Sequence, residues 1–269
     1  AHSEERNCWE CWTTLAGLAV ETRSLRIGPL VSCISYRHPS MLAKIAASVD
    51  AMSGGRLDMG IGAGWKQIEY DAYGFPYPSA RERVDRLAEA LPLILKMWTE
   101  PKATYEGRYY QVKDAVCAPK PVQKPYPPVW VGGSGRRVMG IAARYADGVN
   151  IGGGPSPQRY KECMDDLRSA CQRIGRDFSS ITKSHFFGIT IAPNRPALER
   201  LLEGIARETG RSVGDVRASS RRFIGTPEEV VEFLQQYLAL GVDQFMLVFP
   251  YGYEATSIRL MAEQVLPRL

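Results

Sequence analysis

Histidine is scarce in this chain: His2, His38 and His185 are the only three in 269 residues. The six cysteines (Cys8, Cys11, Cys33, Cys117, Cys163 and Cys171) are scattered. Cys8-Trp-Glu-Cys11 has C-x-x-C spacing, but no second pair or histidine cluster completes a zinc set. A thioredoxin-like dithiol follows a strand, whereas this pair opens a helix, so the thiols read as reduced side chains of a cytoplasmic protein. No run approaches the ~18 unbroken apolar residues of a membrane span, and no signal-peptide pattern is read. The net charge of +5 is spread along the chain, with no block dense enough for nucleic acid. A zinc module, a membrane-spanning helix and a nucleic-acid binder are all disfavoured. What remains, at 45% hydrophobic and 23% charged residues, suits one large soluble α/β domain.

Glycine and proline, by contrast, are concentrated where they inform. Pro119-Lys-Pro-Val-Gln-Lys-Pro-Tyr-Pro-Pro128 leads stiffly into Val129-Trp-Val-Gly-Gly-Ser134, a short apolar strand stopped by paired glycines. A second stop follows in Ala146-Asp-Gly-Val-Asn-Ile-Gly-Gly-Gly-Pro155. Each stop opens onto a predicted helix. Glycine admits a ligand close to the backbone, and a helix start offers N–H groups and partial positive charge. Two such turns on consecutive strand–helix units suit a phosphate-bearing cofactor or substrate.

Strands are predicted over Leu25–Cys33, Arg56–Gly64, Val129–Val131, Val149–Ile151, Ile181–Ala192 and Gln244–Phe249. Helices are predicted over Trp9–Val20, Pro39–Met52, from Ser79 with its capping box, from Thr226 to Gly241, and from about Ala255. In the Ser79 helix Val84, Leu87, Ala88, Leu91, Leu95 and Trp98 form the expected buried face, with a kink or irregular turn at Pro92. In the Thr226 helix that face is Val230, Phe233, Leu234, Tyr237 and Leu238. A small hairpin is expected at Thr104–Val112. The β-α alternation calls for a parallel sheet with helices outside, and with no second domain apparent a closed barrel is favoured over a doubly wound sheet. A (β/α)8 TIM barrel wants two more strands than the six counted, so the first two are expected to precede this chain in a longer natural protein.

Several of these segments resemble a known family. Tyr36-Arg-His-Pro39, Ser53-Gly-Gly-Arg-Leu-Asp-Met-Gly-Ile-Gly-Ala-Gly-Trp65, the Pro-Lys-Pro-Val-Gln run, Ala143-Arg-Tyr-Ala-Asp-Gly148 and Gly225-Thr-Pro-Glu-Glu229 occur in order and register. From about Trp12 onward the chain resembles the bacterial luciferase-like monooxygenase superfamily, most closely its deazaflavin (coenzyme F-420)-dependent oxidoreductase branch. The resemblance implies a single (β/α)8 domain, with a flavin or deazaflavin across the C-terminal mouth of the barrel. It places a bulge and a non-proline cis peptide at Leu30–Val31, next to Ser32. It puts Ala63 and Gly64 beside the ring, and Gly132, Gly133, Ser134, Gly152 and Gly153 at the phosphate.

Trp65 stands where some deazaflavin dehydrogenases carry an acidic glutamate, so that proton-transfer role does not transfer. Trp65 is expected to wall the substrate side with Glu69 and Tyr70, or simply to pack. Arg136 and Arg137 are placed to meet the phosphate or the cofactor's acidic tail, or else to be solvated. His38 is expected to be structural and His185 core or rim. The histidine that several relatives use falls before this chain, and no catalytic acid or base is assigned. No metal is expected.

The leading expectation is therefore an oxidoreductase passing hydride between deazaflavin and a small organic substrate, cytoplasmic and, as in relatives, homodimeric. Alternatives are an FMN-dependent luciferase-like monooxygenase and a non-catalytic flavin-binding protein. A phosphorylated-metabolite lyase or isomerase is a further rival. The Schiff-base lysine that would favour it is missing from every predicted strand end.

Overall fold

The computed structural model describes residues 8–154 and 156–269; His2 and Pro155 lie outside them. The chain divides into two compact units. One runs to Val149 and adds Leu167–Ile181; the other holds Asn150–Asp166 and Thr182–Leu269.

The first unit begins with helix α1 (Cys11–Glu21), whose N-cap Glu10 accepts from Thr13 N. Strand β1 (Ser32–Cys33) is much shorter than the predicted Leu25–Cys33. Upstream, only an isolated bridge between Ile27 and Leu57 survives, because Pro29 has no N–H to give a ladder. Helix α2 (Pro39–Met52) matches its prediction, with His38 as N-cap and proline in the first turn. Strand β2 (Met59–Gly62) pairs in parallel with β1.

Helices α3 (Gln67–Ala72) and α4 (Ala80–Thr99) follow. Helix α4 continues through Pro92 with no break in its helical assignment. Its buried face is Arg83, Leu87, Ala90, Leu91, Leu93, Ile94, Met97 and Trp98; Val84, Ala88 and Leu95 are only half-buried. Packing on α2 sets this rotation, for Trp98 Nε1 donates to Ala43 O at 2.9 Å. The predicted hairpin forms from β3 (Ala103–Glu106) and β4 (Gln111–Ala115), with the Glu89 carboxylate accepting from Arg108, Tyr109 and Tyr110 N–H.

Asp50, fully buried on α2, anchors the proline-rich lead-in. Its carboxylate accepts from Val122 N (2.7 Å), Gln123 N (3.1 Å) and Gln123 Nε2 (2.7 Å). Peptide bonds before Pro119 and Pro125 are cis. The lead-in delivers β5 (Val129–Gly132), parallel to β2, and then α5 (Arg136–Tyr145). Asp147 clamps the base of β5, accepting from Val129 N at 2.8 Å.

Strand β6 (Gly148–Ile151) passes from the first unit into the second. Helix α6 (Pro157–Ile174) starts after Ser156, whose Oγ accepts from Arg159 N at 3.3 Å, the predicted cap. Strand β7 (Thr182–Ile191) is the long strand of this unit. After α7 (Arg195–Thr209) and α8 (Val213–Arg217) comes β8 (Arg222–Gly225), which the sequence reading missed.

Helix α9 (Pro227–Ala239) carries the full Thr226/Glu229 capping box and ends before Gly241 at φ 83°. It buries Val230, Val231, Phe233, Leu234 and Tyr237, but Leu238 faces out, against expectation. Strand β9 (Gln244–Val248) and helix α10 (Glu254–Leu260) complete the order. Strands β8 and β9 both pair in parallel with β7: β9 along Ser184–Gly188 and β8 along Gly188–Ile191.

Candidate functional site

In the first unit the ends of β1, β2 and β5 converge on Val31. The Leu30–Val31 peptide is cis, at the position that the resemblance implied. Glycines make the convergence possible. A Cβ on Gly62 would come within 2.7 Å of Val31 Cγ2, and one on Gly132 within 2.8 Å of both Val31 methyls. At Gly60 a Cβ would lie 1.9 Å from the Pro29 carbonyl oxygen. The Val31 side chain therefore occupies the space that side chains on the neighbouring strands would need. Ser32 is buried and receives Trp12 Nε1 at 3.1 Å, whereas Leu30 is 44% exposed.

At the β2 end, the side of Gly64 where a side chain would project is filled from within the protein. Gly64 has φ 80°, and a Cβ there would lie 2.2 Å from Tyr70 Oη and 2.5 Å from Cys33 Sγ. Ala63 beside it is half-buried. Tyr70, expected at a substrate wall, is 0% exposed, with its hydroxyl 3.1 Å from Cys33 Sγ. It backs the site, because Tyr36 and Tyr77 pack edge-on against its ring at 5.0 and 4.9 Å. Glu69 is half-buried between Lys66 Nζ (2.9 Å) and the Tyr36 hydroxyl, which donates to it at 3.0 Å. Burial, and for Tyr36 the bond to Glu69, push the Tyr36 and Tyr70 hydroxyls well above the usual phenol range. Trp65 alone of the three predicted wall residues is open, at 66% exposure.

The start of α5 suits an anion. Gly133 adopts φ 145°, and the N-cap, Gly135, has no side chain to accept from the first turn. Ser134 lies half-buried in this turn. Of the two arginines, Arg137 is drawn aside into an ion pair with Asp85 and a bond to Arg81 O; Arg136 is exposed. His38 is a helix cap: Nδ1 accepts from Ser40 N at 3.3 Å and meets Ser40 Oγ at 2.8 Å. Burial lowers its pKa.

Away from these strand ends, a shallow depression of about 320 Å³ lies at the C-terminal ends of α1 and α2. Arg56 lines it, donating to Ala19 O and Thr22 O at 2.7 and 3.0 Å. Its residues cap helices and hold no reactive group, so it is not the functional site.

In the second unit the turn after β6 holds Gly152, Gly153 and Gly154. Gly153 has φ 118° with open space where a side chain would project, and Gly154 has φ 111° with a Cβ position 2.0 Å from Ser220 O. Thus Gly154 is demanded by packing, while Gly153 is exposed. His185 is buried, as expected of a core residue. Desolvation takes its pKa down to about 4, against the raising effect of Ile151 and Gly154 backbone groups. Sequence reasoning missed its partner, because Ile151 is 34 residues away.

A pH effect follows with a definite sign. Above pH 6.5 the imidazole is neutral both folded and unfolded, and stability is intact. Between pH 6.5 and about 4 only the unfolded chain takes the proton, so stability drains away. At about 1.4 kcal/mol per pH unit the loss is roughly 3 kcal/mol. Urea midpoints measured from pH 7 to pH 4 should show this fall in the native protein and a shallower one in His185→Phe.

A family model for luciferase-like monooxygenases matches residues 1–244. Among characterised relatives, the chain is 30% identical to the F-420-dependent glucose-6-phosphate dehydrogenase of Microbacterium testaceum, covering 95% of this chain and 81% of that protein. It is 26% identical to the FMNH(2)-dependent dimethylsulfone monooxygenase of Pseudomonas putida, over 85% and 70% of the two chains. Among solved structures, the coenzyme F-420-dependent tetrahydromethanopterin reductase of Methanopyrus kandleri superposes with a TM-score of 0.82. Identity there is 20%, with 96% of this chain and 87% of the other covered. The fold is accordingly α/β of the (β/α)8 kind. The Val31-centred strand ends, the glycine turns and the match over most of the length lead to one conclusion: the chain belongs to the luciferase-like monooxygenase family.

Proposed function

We propose that this protein is an oxidoreductase that passes hydride between coenzyme F-420 and a small organic substrate. The observation that carries the reading is the glycine-permitted convergence of β1, β2 and β5 on Val31, with the glycine-capped start of α5 following directly on β5. It is supported by F-420-dependent dehydrogenases recurring among the relatives at 26–30% identity. The bound deazaflavin would supply the redox chemistry, and the protein its placement.

The residues fit such a group. Leu30, Val31 and Ser32, with Ala63 and Gly64, would back the ring. The Gly132-Gly133-Ser134 turn offers an anion the positive end of α5, and the Gly152-Gly153 turn, with Gly153 exposed, lies in its own unit. Trp65 is the wall residue open to substrate. Glu69 is already paired with Lys66 and Tyr36, so it serves better to hold that wall than to move a proton. Within the first unit, the Leu30–Ser32 segment and the Gly132–Ser134 turn would bind, orient and shield; no acid or base is assigned. The reading extends to a homodimer, as the family resemblance implies, with light-scattering mass as the check, and to a cytoplasmic protein, as the scattered thiols suggest.

Titration against coenzyme F-420 and FMN, followed by fluorescence quenching, tests the proposal. F-420 should bind at least about tenfold more tightly, a difference of ~1.4 kcal/mol. Tight binding of FMN alone would replace the reading with a flavin monooxygenase, for which the dimethylsulfone enzyme is the precedent. Binding of F-420 without turnover across carbonyl, imine and alkene substrates would leave a non-catalytic carrier.

A further inference from the structure

His185 lies on β7, one strand away from any glycine turn in sequence, yet its ring reaches one. Nδ1 is 2.9 Å from the carbonyl oxygen of Ile151, the last residue of β6 before Gly152. A carbonyl only accepts, so the proton is on Nδ1 and the imidazole donates. Nε2 is then a lone pair, and it has no partner among the described side chains.

The ring has no freedom to turn. Tyr237 stacks on it at 4.6 Å and 30°, Phe187 lies at 5.0 Å, and Tyr160 meets it edge-on at 5.2 Å. Leaving Nε2 unpaired is unfavourable, and a phenylalanine would fill the same box without that penalty. The imidazole is therefore best explained by what Nδ1 does.

What it does is fix a peptide plane. With Ile151 O held by His185, the trans Ile151–Gly152 unit must direct the Gly152 N–H the opposite way. The downstream end of the turn has further supports: Gly154 packs against Ser220 O, its carbonyl accepts from Ser156 N at 3.0 Å, and its backbone also neighbours the His185 imidazole. Gly153, between them, is exposed, and a Cβ built there would meet nothing within 4 Å.

We infer that His185 is a positioning residue for the Gly152–Gly154 turn, its Nδ1–H locking the Ile151 carbonyl so that the glycine amides are set to receive a phosphate group. This rests on the proposed reading that the turn takes the cofactor's phosphate. His185 acts through the backbone and touches no reacting atom.

The test compares two probes by fluorescence quenching: coenzyme F-420, and the same deazaflavin ring with its ribityl chain but no phosphate. Native protein should prefer the phosphorylated probe. His185→Phe keeps the stacking and loses the donor; it should weaken F-420 binding about tenfold and change the phosphate-free probe less than twofold. His185→Gln restores an N–H donor and should recover most of the loss. Equal weakening of both probes, or no weakening in a folded variant, overturns the inference while the native preference keeps the phosphate reading intact. If native protein shows no preference between the probes, the phosphate reading itself fails and the inference with it. Long-range ¹H–¹⁵N spectra of the native imidazole add a check independent of any variant: a proton on Nδ1 supports the assignment, and one on Nε2 overturns it.

Discussion

Gly60→Ala is expected to abolish cofactor binding, with at least a hundredfold rise in Kd. The added methyl would lie 1.9 Å from Pro29 O and 3.1 Å from its carbonyl carbon, and backbone cannot step aside as a side chain can. Relief requires moving the Pro29–Val31 segment away from β2, which dismantles the convergence of three strand ends. Stability should drop by about 3 kcal/mol through overpacking of the core.

Gly140→Ala is the control. It lies inside α5 with nothing within 4 Å of its Cβ position, so alanine should be neutral or raise stability by roughly 0.5–1 kcal/mol. A double substitution sharpens the point. Gly62→Ala alone meets Val31 Cγ2 at 2.7 Å, and Val31→Ala removes that methyl, so the pair should couple favourably in a double-mutant cycle. Unchanged F-420 affinity in Gly60→Ala would show that the strand-end cluster is not where the ring is held.

The second large effect is on stability alone. Asp50→Ala should destabilise by about 3–5 kcal/mol, because Val122 N and Gln123 N lose the acceptor that the fully buried Asp50 provides and Gln123 Nε2 is left with Leu57 O alone. For a chain of this size that corresponds to a fall in Tm of about 10 °C. The lead-in would then be free of α2, and β5 would lose its fixed entry. A shift under 2 °C in calorimetry would mean that the proline-rich segment holds itself.

Much of the architecture was legible in the residues. Pro39, Ser79, Ser156 and Thr226 mark helix starts that the structure keeps, each by a signal confined to one turn. The glycine stops after Val131 and Ile151 mark strand ends for the same reason: they describe what the backbone can do locally. Strand β8 was not legible, since Arg222–Gly225 is four residues long behind a polar stretch and exists by pairing with β7. The length of β1 was overestimated because Pro29 interrupts a run that is otherwise strand-like.

What the sequence settled by itself is the starts and caps of several helices and the turns that glycine permits, because these depend on neighbours within about four residues. Which side chain meets which was left to the tertiary structure. Tyr70 is sealed behind Cys33, Arg137 is diverted to Asp85, and His185 finds the carbonyl of Ile151. Those pairings join residues tens of positions apart, and only the packed chain brings them within reach.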